Sequence, residues 1–318
     1  TKENLYNQKE AVKQERRLSF DNRPYATAIV DRWPLLAYRN WQNSHSLIGS
    51  YEDLEAASVE DVAKFFKTYY APNNAVLAIV GDIQIPEAKK LVQAYFGDIP
   101  PQPQPKHPDL SEPPDFAPRS ETHKDAHARV PAVVAGYPGP ARRSPDYYAL
   151  YMLDALLTMG ESSRFQQNLV KGRQSVIQYE ANLGWPFADP TDYKDPGVYA
   201  MFLLHKPNFT GRQVVDQAQE EIARVHKEGV EGAELDRVKA SVRAYRIGEL
   251  QGAMARARHL AIYELLDGDA GWLNREMDQF MAVTPAQVQA AARKYLVPER
   301  RAVLEIVPAP RAAEEGSR

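Results

Sequence analysis

The sequence predicts an α+β protein made of two related units, each a sheet with helices on one face. Three observations carry this. A helix-then-strand segment occurs twice, SVEDVAKFFKTYYAPNNAVLAIVGD at 58–82 and TPAQVQAAARKYLVPERRAVLEIVP at 284–308. From Ser58/Thr284 to Pro72/Pro298 the copies hold an offset of 226 residues. The same offset lays KEAVKQERRL, from Lys9, on LDRVKASVRA, from Leu235, so that Val12 meets Val238, Lys13 meets Lys239 and Glu15 meets Ser241. A self-similarity that recurs at one spacing is the mark of a tandem duplication.

The elements follow in order from apolar periodicity and from helix and turn signals. Helices are expected at 3–20, 22–40 and 58–70, a strand at 75–80 and a helix at 86–96. Eight prolines from Pro100 to Pro118 make 100–119 a stiff extended linker. The second copy opens with ETHKDAHARVPAVVAGY, read as two strands within 121–136. Helices at 144–158 and 163–171 and strands near 174–184 and 197–206 come next. Helices at 211–228, 232–250, 253–266 and 284–296 and a strand at 302–307 complete the pattern. The expected domains are thus 1–99, linker 100–119, 120–310 and a tail 311–318. If the repeat is applied backwards, the first unit has lost its front half, and its 1–100 region is expected to expose apolar surface and to be less stable than 120–310.

Composition narrows the function classes. With 39 basic and 42 acidic residues the formal charge is −3, which offers no field for nucleic acid or an anionic membrane. No apolar run approaches the length of a membrane-spanning helix. The absence of cysteine excludes disulfides, thiolate metal sites and Cys–His catalysis.

Among candidate residues, Glu15 stands out. Leu5, Ala11, Val12 and Leu18 mark one side of the first helix, and Glu15 falls within that stripe. A carboxylate buried there needs a cation or a metal, whereas an exposed one, or one paired with a nearby arginine, needs nothing. Its counterpart Ser241 shows that the repeat itself does not require an acid at that place. His123 and His127 have the spacing of a helical metal site, but they read as strand residues and then lie roughly 13 Å apart, too far to share one ion.

Several stretches resemble the insulinase/pitrilysin-type zinc peptidases, the inverzincins, among them mitochondrial-processing-peptidase-like members. They are NQKEAVKQERRLSFDNRPY, SHSLIGSYEDLEAASVEDVAKFFKTYYAPNNAVLAIVGDI with YFGDIP, GYPGPARRSPDYYALYMLDALLTMGESSRFQQNLV, and WLNREMDQFMAVTPAQVQAAARKYLVP. The resemblance implies tandem α+β domains, each a mainly antiparallel sheet with helices on one face, closing as a clamshell. It implies zinc-dependent peptide hydrolysis through H-x-x-E-H, two histidines binding the metal and the glutamate acting as general base. The third zinc ligand of the family maps onto Glu15, in KQERR. The H-x-x-E-H, roughly 75 residues ahead of that glutamate in the family, would lie upstream of Thr1. The chain alone is therefore expected to hold no zinc and to have no peptidase activity, with Zn2+ belonging to the complete enzyme.

The second copy carries SSRFQQNL at the place equivalent to that motif and is expected to be non-metallic. Many relatives hold the substrate backbone there with an arginine and a tyrosine seven residues apart. In LVKGRQSVIQYEA the best register puts Val170 and Ile177 at those places, while Arg173 and Tyr179 stand near them, six apart. The chain thus resembles the zinc-bearing member of a two-chain enzyme whose partner supplies the pair, and Arg173 and Tyr179 are the substrate-binding candidates in this chain if the strand register shifts locally. Two functions follow from the resemblance: part of a zinc metalloendopeptidase acting on peptides or small unfolded proteins, or a non-catalytic partner subunit of a two-chain peptidase. In either case the expected partners are a peptide and a related peptidase-like chain in a homo- or hetero-oligomer, with a periplasmic location favoured.

Overall fold

The computed structural model describes residues 1–113 and 116–309, so part of the expected linker and the 311–318 tail lie outside the described residues. The chain forms two compact units, one of residues 1–11, 50–109 and 243–278, the other of 12–49, 110–242 and 279–318. Each is described by itself.

The early helices are α1 (Lys2–Arg16), α2 (Trp33–Ala37), α3 (Trp41–Ser44), α4 (Tyr51–Ala56), α5 (Val59–Tyr69) and α6 (Ile85–Phe96). The expected helix over 22–40 is broken into pieces. Asn22 caps a π-helical turn at Arg17–Asp21, Tyr25 takes φ 67°, and a second π-turn, Ala28–Arg32, leads into α2. Serine caps start the next helices: Ser50 and Ser58 each accept from the backbone N–H three residues on, and Asp53 and Asp61 reach back to complete capping boxes.

The larger unit is built on one sheet. Its strands are β1 (Arg119–Asp125), β2 (Ala132–Pro138), β3 (Val176–Leu183), β4 (Val198–His205) and β5 (Ala302–Pro308), in the order β1-β5-β2-β4-β3. Only β1 and β5 run parallel, so the sheet is mainly antiparallel, as expected. The remaining helices are α7 (Pro145–Thr158), α8 (Gly211–Glu228), α9 (Gly232–Glu249), α10 (Ala253–Asp267), α11 (Trp272–Ala282) and α12 (Pro285–Tyr295). The expectations did not include α11.

Alternation along the strands decides the layers. Val133, Ala135, Tyr137, Tyr199, Met201 and Leu203 point to one face and meet α7, α8 and α12 in the main core. This is the expected helical layer. The opposite face carries Val134, Ala200, Leu304 and Ile306, and the segment at 28–37 covers it with Ala28, Trp33, Leu36 and Ala37. Gly136 makes that approach possible, since a Cβ there would lie 2.5 Å from Trp33 Cζ2.

The smaller unit contains α5, α6 and α10. Its buried polar centre joins Arg246, Glu249, His259, Tyr263 and Glu276. Arg246 donates to Glu249 (2.9 Å), to the Tyr263 hydroxyl (2.9 Å) and to Glu276 (3.0 Å), while His259 Nε2 lies 3.0 Å from Glu249. Tyr263 also donates a short bond to Glu276. The His259 contact, reinforced by Arg246, holds the Glu249 carboxyl below its ordinary range.

The expected strand at 75–80 does not form among the described residues. Its counterpart β5 lies between β1 and β2, and a strand exists only where a neighbour takes its backbone bonds. Here Leu77 and Ile79 are exposed instead. The α5 positions Val62, Phe65, Phe66 and Tyr69 are exposed too, whereas the matching α12 positions Val288, Ala291 and Ala292 are buried in the main core.

Candidate metal-ligand position and its counterpart in the second copy

Glu15 sits in the last turn of α1 and is exposed. The expected apolar stripe around it is not the buried side of the helix, for Leu18 is 59% exposed and Ala11 is exposed as well. The buried side is marked by Lys13 and Arg16. The reason is electrostatic. Arg16 donates to Asp31 Oδ2 (2.6 Å) and to the Gly49 carbonyl (2.7 Å) and pairs with Asp21 (3.4 Å). A guanidinium with that many oxygen partners is stable in a half-dry setting where an unpaired charge is not. Just after it the helix widens to π geometry, which turns Leu18 outward. Successive helical residues point about 100° apart, so the Arg16 anchor sets the direction of Glu15. Arg16 is the residue that sequence reading missed. The available signal was Val242, its counterpart at the same offset, which is fully buried.

The second copy shows what such a glutamate would face. Ser241, the counterpart of Glu15, lines a small cavity of about 10 Å³ together with Ser162 and Ser163, the first residues of SSRFQQNL, and with Met159 from beyond α7. On the 226-residue offset Ser241 is the residue matched to Glu15, and Ser162 and Ser163 share its cavity. All the side chains there are hydroxyl or apolar, apart from Arg237.

Among the described residues the donors do not make a zinc site. A single carboxylate falls short of the three protein ligands a catalytic zinc requires. No group of three His, Cys, Asp or Glu side chains comes together among the described residues. His123 lies in β1, while His127 lies past its end, where its backbone N–H donates to Asp125 Oδ1 (2.7 Å).

Arg173 and Tyr179 are not brought together as a pair. Arg173 follows the π-helical turn Gln166–Gly172 and makes a short ion pair with Glu220 of α8. Tyr179 stands on β3 and turns its hydroxyl to Ser163 Oγ (3.0 Å) and the Thr158 carbonyl (3.1 Å), its ring edge-on to Phe165. Burial raises its phenol above the ordinary value. Ile177, the in-register alternative, is exposed on the same strand.

The fold is shared with a solved protease from Helicobacter pylori. The superposition gives a TM-score of 0.86 at 23% identity, over 97% of this chain and 72% of that one. Residues 56–242 match the family described as the peptidase M16 inactive domain, and the chain belongs to that family. Among curated relatives, the zinc protease PqqE of Helicobacter pylori is 26% identical over 295 residues, covering 91% of this chain and 63% of that protein. A probable mitochondrial-processing peptidase subunit beta of Schizosaccharomyces pombe is 23% identical over 245 residues, 76% of this chain and 53% of that one. The chain thus spans somewhat over half the length of these relatives.

Proposed function

We propose that this chain is the portion of a zinc metalloendopeptidase that contributes the third zinc ligand, Glu15, and a second, non-metallic domain. The observation that supports it most directly is the Ser241 cavity: Ser241 matches Glu15 at the 226-residue offset, and it shares the cavity with Ser162 and Ser163 of the stretch read as the H-x-x-E-H counterpart. On this reading residues 1–99 are the later part of a zinc-bearing domain and 120–310 a duplicated companion. The two histidines and the general base are supplied by sequence outside residues 1–318. The substrates are peptides or small unfolded proteins, and the working form is an oligomer of related peptidase-like chains in the periplasm. The word subunit in the name of the processing-peptidase relative supports the oligomer. Arg173 and Tyr179 contact substrate only after leaving the partners they hold here, so the backbone-holding pair comes from a partner chain.

A non-catalytic partner subunit is the second reading, favoured by the description of the matching family as inactive. Zinc content separates the two. The purified chain is expected to bind no zinc and to leave a quenched peptide intact. Combined with a polypeptide carrying H-x-x-E-H, it is expected to bind one zinc, and Glu15→Ala is expected to weaken that binding by at least about 100-fold, the scale of losing one of three ligands. Zinc retained at full affinity in Glu15→Ala would overturn the ligand assignment and leave the partner reading.

A further inference from the structure

A cavity of about 490 Å³ opens on the second face of the sheet. It belongs to the larger unit, and its lining includes neither Glu15 nor any residue of the Ser241 cavity. One wall is Phe202 of β4 and Glu180 of β3, cross-strand neighbours. The other walls are Tyr25 and Ile29 and, from the turn after β3, Trp185 and Phe187. The cavity exists because the 28–37 segment packs closely over β2 and β5, where the sheet offers small residues such as Gly136 and Ala302, and leaves the β4–β3 end uncovered.

Three features show that the space is built rather than left over. First, its rings are already arranged. Trp185 stacks on Phe202 at 5.9 Å and 24°, and Tyr25 meets Phe202 edge-on at 5.7 Å and 71°. Second, Tyr25 holds a left-handed backbone, φ 67°, that disfavours a bulky side chain. Its backbone N–H donates to Asp125 Oδ2 (2.6 Å) and its hydroxyl to the Val130 carbonyl (2.8 Å), so the surroundings enforce the strained geometry. Third, the lining carries one carboxylate, Glu180, which takes a long bond from Trp185 Nε1 (3.4 Å), and one guanidinium, Arg23, whose Nε donates to the Leu18 carbonyl (3.1 Å). Glu180 brings β3 into the lining, and β3 pairs with β4 alone among the described strands.

We infer that this cavity receives an aromatic side chain with a polar hydrogen, tyrosine first, from an extended peptide lying along β3. The volume is within the range of ligand pockets. The rings accept a further ring in edge or offset contact, and Glu180 accepts from its hydroxyl. The free strand edge takes the peptide backbone, and period-two alternation sends every second side chain to the cavity face. The inference deepens the peptidase reading by naming a side chain that the chain recognises. Its test reads binding without zinc or cleavage, so either can fail alone.

The test is calorimetric titration of the full chain with three blocked pentapeptides, Thr-Thr-X-Thr-Thr, in which X is tyrosine, phenylalanine or alanine. Tyrosine is expected to bind at least about tenfold more tightly than alanine, with phenylalanine between them. Glu180→Gln, an exposed position that leaves the fold intact, is expected to bring tyrosine down to the phenylalanine level. Ala26→Leu, which fills the cavity, is expected to erase all preference at an unchanged melting temperature. Equal binding of the three peptides by the wild-type chain would overturn the inference without recourse to any variant. So would a tyrosine preference that survives in a folded Ala26→Leu protein.

Discussion

Asp154 of α7 shows how one residue couples this fold to pH. Its carboxyl takes a hydrogen bond from the Tyr199 hydroxyl at 3.0 Å and a longer one from Thr158 at 3.4 Å. Burial nevertheless outweighs both and raises its pKa to about 7. A carboxyl with a raised folded-state pKa binds more protons folded than unfolded between pH 4 and 7, so stability is greatest below pH 4 and is lost as the pH rises through 7. Asp154→Asn keeps an oxygen for Tyr199 and removes the titration. Relative to wild type, the variant is expected to gain on the order of 2–3 kcal/mol between pH 5 and pH 8 in urea unfolding. Parallel stability profiles would refute it. Arg246 has the opposite character, a charge whose partners hold it. Arg246→Met leaves Glu276 buried without its cation and is expected to cost about 3 kcal/mol, read as lost amide-exchange protection in α10. At Glu15 the candidate ligand was legible from the KQERR resemblance, but its exposure was not. The stripe on which it was read counts apolar residues, and the helix buries an arginine instead.

At the scale of elements, the 226-residue offset sets α5 beside α12 for comparison. Thr284 and Gln287 form the capping box of α12, as Ser58 and Asp61 do for α5. Thr284→Ala is expected to cost about 1 kcal/mol of the larger unit's stability. Apart from α11, which was not expected, and the 163–171 helix, which is a π-helical turn at Gln166–Gly172, the strand and helix positions of 120–308 were legible to within about two residues. The broken 22–40 segment was not. Its apolar spacing reads as a continuous helix, and at the break Tyr25 is bonded to Asp125 and Val130, a hundred residues away in sequence. The strand expected at 75–80 carries the same apolar pattern as β5, and pattern alone does not provide an edge to pair with.

For the whole molecule, the contrast between the two copies sets the expected order of unfolding. Phe65, Phe66, Leu77, Tyr95 and Phe96 are all exposed within 59–99, a concentration of apolar surface above that of an ordinary soluble face. Limited proteolysis is expected to cut within 50–109 before it cuts within 120–310, and an apolar dye is expected to bind the intact chain and to be displaced when that region is covered. First cuts inside 120–310 would contradict this.

The sequence by itself determined the class of fold, the family resemblance and, α11 apart, the order of helices and strands from 119 to 308. These rest on short-range periodicity, on caps and on a repeat that survives in the residue types. Only the tertiary structure decided which side of α1 is buried, that Arg173 and Tyr179 are tied to separate partners, and that an aromatic cavity lies beside β3. Each of those depends on contacts between residues far apart in the chain, where a charge finds its oxygens or a face finds no cover, and such pairings leave no periodic trace.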